Sequence, residues 1–136
     1  MKAVFADTFY WVALTNPNHT RYRDAVAFDK MLADATIFTT DEVLSEFMTF
    51  FSADRSQRSQ AAVTIRRLLA HPQVRVIEQS RESFLSGLDL YQARPDKGYS
   101  LVDCISMQTM RREGLTEALT NDRHFEQEGF RALFRE

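Results

Sequence analysis

Asp7 closes the apolar run Ala3-Val4-Phe5-Ala6, and Asp122 follows Ala118-Leu119-Thr120-Asn121. Each carboxylate stands just past a strand-like segment, one at either end of the chain. In an open parallel sheet, ligands bind beyond the carboxyl ends of the strands, where strand order reverses. If both segments belong to one such sheet, the two acids face each other there. Glu46 and Asp103, on stretches of helical periodicity, are candidates to complete a cluster. Crowded carboxylates repel one another unless protons or a cation offset them, and an all-oxygen donor set favours Mg²⁺ or Mn²⁺.

Each acid also has an ordinary reading. Asp7 can be a plain N-cap for a helix starting at Thr8, and Asp122 can cap the turn holding His124 and Phe125. Ser100-Leu101-Val102-Asp103 reads as a capping box. Ser106, one turn on, shares the face of Asp103 and could bind it or a metal-bound water. On a helix, Glu46 shares a face with Val43, Phe47 and Phe50, whereas Glu42 lies near Ser45 and Thr49. Glu46 is therefore expected to turn toward an apolar region, where an unpaired carboxylate is costly. The alternative is a partly exposed Glu at the edge of the stripe.

Other chemistries fit less well. His19, His71 and His124 lack any His-x-x-x-His or Cys-x-x-Cys spacing for zinc. Cys104, among Leu101, Ile105 and Met107, reads as a core residue rather than a nucleophile. No glycine-rich phosphate loop occurs, and no Asp-x-Asp nucleophile follows the first strand. Arg94, Lys97, Arg123 and His124 lie close in sequence to the proposed pocket and could meet phosphates, although scattered cations are usually solvated surface.

The elements that must hold these residues alternate along the chain. Strands are expected over Lys2 to Ala6, Ala35 to Thr39, Val74 to Ile77 and Glu117 to Thr120, with an edge strand at Phe130 to Leu133. Helices are expected from Thr8 to Leu14, from a Thr20 cap to Ala33, and from a Thr40 or Asp41 cap to Phe51. After a polar break from Ser52 to Arg58, further helices carry Ala62 to Leu69, Phe84 to Tyr91, and Ser100 to Gly114, followed by a turn from Arg123 to Gln127. Strand–helix alternation predicts an α/β fold of three layers, α/β/α, with helices on both faces of a parallel sheet. At 136 residues, 44% of them hydrophobic and eleven of them Phe, residues 1–136 are expected to form one domain. A net charge of −2 and a single cysteine predict a reduced, cytoplasmic protein without strong general affinity for nucleic acid. Neither a signal-peptide pattern nor a membrane span is expected, so no membrane partner is.

Four stretches, in this order and at this spacing, resemble the PIN-domain ribonucleases of the VapC type, toxins of type II toxin–antitoxin pairs. They are Phe5-Ala6-Asp7-Thr8, Thr39-Thr40-Asp41-Glu42-Val43-Leu44-Ser45-Glu46, Tyr99-Ser100-Leu101-Val102-Asp103-Cys104-Ile105-Ser106, and Ala118-Leu119-Thr120-Asn121-Asp122-Arg123-His124-Phe125, followed by Gly129-Phe130. The resemblance implies a sheet of five strands in the order 3-2-1-4-5. It implies an acidic quartet of Asp7, Glu46, Asp103 and Asp122, with Asp7 and Asp103 the most direct metal ligands and Mg²⁺ or Mn²⁺ as cofactor. It implies hydrolysis of RNA phosphodiester bonds, with Thr8, Ser106, Arg94, Lys97 and Arg123 toward the substrate. The implied partners are RNA, a cognate antitoxin protein that inserts a cation into the groove, and a second copy in a homodimer. Phe9 stands where the family often has a small residue, which bears on the pocket rim. Two alternatives stay open: an RNA-processing PIN nuclease without an antitoxin, and a catalytically silent PIN-like module that binds RNA or protein.

Overall fold

The computed structural model describes residues 2–136. Its elements in chain order are β1 (Ala3–Ala6), α1 (Thr8–Thr15), α2 (Tyr22–Met31), β2 (Thr36–Thr40), α3 (Asp41–Phe50) and α4 (Arg55–Ala70). There follow β3 (Val74–Ile77), α5 (Arg81–Ala93), α6 (Leu101–Arg112), β4 (Glu117–Leu119), α7 (Arg123–Gln127), β5 (Arg131–Ala132) and a 3₁₀ turn at Leu133–Arg135. All four strand pairings are parallel, and the sheet order is β3-β2-β1-β4-β5. Consecutive residues Val4, Phe5 and Ala6 are all fully buried. Successive strand side chains point to opposite faces, so both faces of β1 are covered by helices.

That order puts β1 between β2 and β4: the chain runs from β1 out to β2 and β3 on one side, then returns to place β4 and β5 on the other. The reversal point is the crevice between β1 and β4. Phe5 pairs with Ala118 and Ala6 with Leu119, so Asp7 and Thr120 leave the sheet side by side. The end of β1 is held from the β2 side as well. Trp11 Nε1 donates to Thr39 Oγ1 at 3.2 Å, and that hydroxyl donates to the Ala6 carbonyl at 3.0 Å. Buried polar groups thereby find partners, as the low local dielectric requires.

Helix starts follow their caps. Thr40, Ser80 and Ser100 side chains accept from the amides of Val43, Ser83 and Asp103. Helix α6 lies close against α5 because residue 87 has no side chain. A Cβ there would sit 2.4 Å from Ile105 Cγ1 and 3.2 Å from the Ile105 backbone.

Several expected boundaries shift. Helix α2 starts after Arg21 with no side-chain cap, not from Thr20. Helix α4 begins inside the polar stretch expected to be a break, because Asp54 caps it by accepting from Gln57 N at 2.9 Å. Strand β2 runs one residue later than expected, to Thr40. The last strand is only Arg131–Ala132, since Leu133 already enters the 3₁₀ turn. No helix among the described residues is long and apolar enough to cross a membrane.

Candidate active site

Asp7 sits at the N-cap position of α1, with extended backbone (φ −83°, ψ 166°), but its side chain makes no cap hydrogen bond. The plain-cap reading therefore does not account for it. Its Oδ2 instead accepts from Thr120 Oγ1 at 2.9 Å, across the crevice from β4. Thr120 also accepts from the Asp122 amide at 3.1 Å, so one buried hydroxyl ties both strand ends together. Only 8% of Asp7 is exposed. Burial pushes its carboxyl up to about 7; Asp103 and Glu46 push the same way, against the Thr120 hydroxyl and the Thr8 amide.

Asp103 does form the expected capping box. Its Oδ2 accepts from Ser100 N, and Ser100 Oγ accepts from Asp103 N, both at 3.0 Å. Burial nevertheless raises its carboxyl above the ordinary range, with Asp122 adding to the rise, while Ser100 and His124 oppose it. Asp122 is a cap too, accepting from His124 N at 2.9 Å. Capping and site membership are compatible, because a carboxylate has lone pairs beyond those a single amide uses.

Glu46 reaches the group by a different route than its helical face implied. The buried stripe of α3 is Val43, Leu44 and Phe47, whereas Glu46 is exposed and Phe50 is 65% exposed. The expectation that Glu46 turns toward an apolar region is corrected; it is the edge-of-stripe residue. What positions it is Thr8, whose Oγ1 donates to Glu46 Oε1 at 2.5 Å. Thr8 is therefore engaged with an acid. All four acids share one neighbourhood: Asp7 is coupled to Asp103 and Glu46, and Asp103 to Asp122.

The other expected residues divide. Ser106 is fully buried, and its Oγ has no hydrogen-bond partner among the described residues. Lys97 and Arg123 are exposed, on the loop before α6 and at the start of α7. Arg94 is not free: its Nη2 and Nε fork onto Glu128 Oε1 and Oε2 at 2.9 and 3.2 Å. Arg111 joins Oε1 at 2.9 Å, and Tyr99 donates to Oε2 at 2.8 Å. Sequence reasoning missed Glu128, whose partners are 17 to 34 residues away. It also missed that His124 Nδ1 enters the acidic group. The available signal was its position two residues after Asp122.

The donor set fits a divalent cation. It consists of hard carboxylate oxygens, those of Asp7 and Asp103 buried enough that their charge is unfavourable alone, with an imidazole nitrogen beside the group that has no hydrogen-bond partner among the described residues. A cation there would offset the burial, and the smaller repulsion between neighbouring acids, that raise Asp7 and Asp103.

Comparisons with known proteins place the chain by family and fold. The profile of the PIN domain family matches residues 4–130. The 23S rRNA-specific endonuclease VapC20 of Mycobacterium tuberculosis is 26% identical over 129 residues, which cover 93% of this chain and 95% of that protein. The crystal structure of that VapC20, described as a sarcin-ricin loop cleaving toxin, superposes with a TM-score of 0.77 at 29% identity, covering 93% of this chain and 95% of that one. VapBC2 from Rickettsia felis, solved bound to a DNA fragment of its promoter, matches with a TM-score of 0.68 at 17% identity and 96% coverage of both chains, a likeness of fold.

Proposed function

Because the chain belongs to the PIN domain family, we propose that it is a divalent-metal-dependent endoribonuclease, the toxin of a toxin–antitoxin pair, built as one domain over residues 1–136. The observation that carries the reading is Asp7. A buried carboxylate at the strand-order reversal, raised to about 7 by burial and by two neighbouring acids, is a group whose anion a bound cation would favour.

Asp7 and Asp103 would be the direct ligands, with Glu46 and Asp122 completing the set; the cation is Mg²⁺ or Mn²⁺. When bound, it would polarise the scissile phosphate and acidify the attacking water. The chain's own residues do the rest. Thr120 fixes Asp7 by Oδ2, leaving Oδ1 without a side-chain donor. Thr8 fixes Glu46 at the groove edge. Lys97 and Arg123, exposed beside the N-termini of α6 and α7, would meet RNA phosphates. Arg94 would act indirectly, through Glu128 and Tyr99.

The likeness to VapC20 over 93% of the chain supports a structured ribosomal RNA loop as the substrate class. It also supports a cytoplasmic setting and an antitoxin partner; a homodimer is the assembly we assign. The test is incubation of whole ribosomes and of naked ribosomal RNA with the protein, with mapping of new RNA ends, with and without EDTA. One dominant, EDTA-sensitive cut is expected. Unchanged RNA with added Mg²⁺ or Mn²⁺ would leave a silent binding module as the better account.

A further inference from the structure

One nitrogen faces the acids. His124 Nδ1 lies 3.1 Å from Asp122 Oδ1 and 3.7 Å from Asp103 Oδ2. It is buried, yet has no hydrogen-bond partner among the described residues. It is therefore close to two carboxylates without the geometry of a donor to either. One donor atom from each of Asp103, Asp122 and His124 lies within 4.8 Å of the other two. Bonds of roughly 2.0–2.2 Å to a shared cation separate adjacent donors by roughly 3 to 4 Å. The separations of Nδ1 from the two oxygens fall in that span.

Tyr99 and the backbone of α7 set the pose of the ring. Tyr99 packs edge-on against it, with centroids 5.2 Å apart, and the Tyr99 hydroxyl is anchored on Glu128. Gly98 has φ +75°, which side-chain-bearing residues rarely adopt, and even a Cβ there would lie 4.0 Å from Nε2. The His124 amide is bound to Asp122 Oδ1. Gly98 thus lies on the Nε2 side, while Nδ1 faces the acids.

We propose that His124 Nδ1 is a ligand of the divalent cation, forming with Asp103 and Asp122 a mixed nitrogen–oxygen donor set that selects a transition-metal ion such as Mn²⁺ over Mg²⁺. The inference rests on the metal reading of the same site above. Mg²⁺ keeps oxygen ligands and dehydrates reluctantly, whereas first-row transition ions accept imidazole readily. A nitrogen in the set therefore separates ions that the carboxylates alone would bind alike.

The full-length protein, stripped with EDTA and reloaded with Mn²⁺, is measured by pulsed electron paramagnetic resonance for coupling to ¹⁴N, with Mn²⁺ and Mg²⁺ affinities taken by titration. Expected is imidazole nitrogen coupling in the native protein and its loss in His124→Ala. Mn²⁺ affinity should fall by about tenfold or more in that variant, and Mg²⁺ affinity by less. Bound Mn²⁺ without nitrogen coupling in the native protein would overturn the histidine ligand while leaving the proposed nuclease intact. Equal losses for the two ions would overturn the selectivity. Absence of any divalent binding would overturn the metal site itself and this inference with it. The native spectrum decides the first point even if the variant folds poorly.

Discussion

Asp7 and Glu128 are both acids with little exposed surface, and the protein treats them in opposite ways. Burial alone would raise both. At Glu128, whose side chain is 3% exposed, hydrogen bonds from Arg111, Arg94 and Tyr99 outweigh that and hold the carboxyl down at about 2. At Asp7 one hydroxyl and one amide are set against two neighbouring acids, and the carboxyl stays up at about 7. The first arrangement is a joint that locks the end of α7 to α5, α6 and the loop bearing Tyr99. The second costs stability in the absence of a cation. Retained strain of this kind marks a functional site more clearly than any fully satisfied network does.

The largest effect that would break this contrast is on activity. Asp7→Asn should lower RNA cleavage about a thousandfold or more in single-turnover assays. The same change should raise the unfolding free energy of the metal-free protein by an amount on the order of 2 kcal/mol near neutral pH, and its melting temperature with it, since it removes a charge the fold disfavours. Glu128→Ala should do the reverse. It should lower stability by about 2 kcal/mol in chemical denaturation, discounted from fully buried pairs because Arg94 and Arg111 are about 40% exposed.

The pH dependence sharpens the same comparison. Asp7 has a folded value of about 7 against an ordinary 3.8, so its contribution is fully present below 3.8 and is lost as pH rises to about 7. Glu128, held at about 2 against an ordinary 4.5, contributes above 4.5 and loses that contribution as pH falls toward 2. Melting temperature of the metal-free protein should therefore peak on the acid side of neutrality. Excess Mn²⁺ should remove the decline toward pH 7, and Asp7→Asn should flatten it without metal. The smallest expected effect is that of Thr8→Val, which frees Glu46. Cleavage should drop by about tenfold or less, with a change in melting free energy of about 1 kcal/mol or less.

Much of this was legible in the sequence. The apolar runs ending at Asp7 and near Asp122 are strands β1 and β4, and strand–helix alternation indicated a parallel sheet. The 3-2-1-4-5 order came from resemblance rather than periodicity, because pairing partners leave no local trace. The Ser100–Asp103 box was readable because it is local, spanning three residues. Glu46 was picked for the wrong reason: its face on α3 is exposed, and its tie to Thr8 spans 38 residues. Glu128 gave no signal between Gln127 and Gly129, as its three partners come from distant segments. Asp54 was hidden inside a polar stretch that read as a break, although one carboxylate was enough to start α4.

The central claim is that the crowded acids around Asp7 are the metal site at which RNA is cut. Its most direct measurement is single-turnover cleavage of a short ribosomal RNA stem-loop by metal-stripped protein as Mn²⁺ is titrated, with Asp7→Asn alongside. A saturable, metal-dependent rate in the native protein and none in Asp7→Asn is the predicted result. Equal cleavage in EDTA, or an Asp7→Asn protein cutting at the native rate, would contradict it.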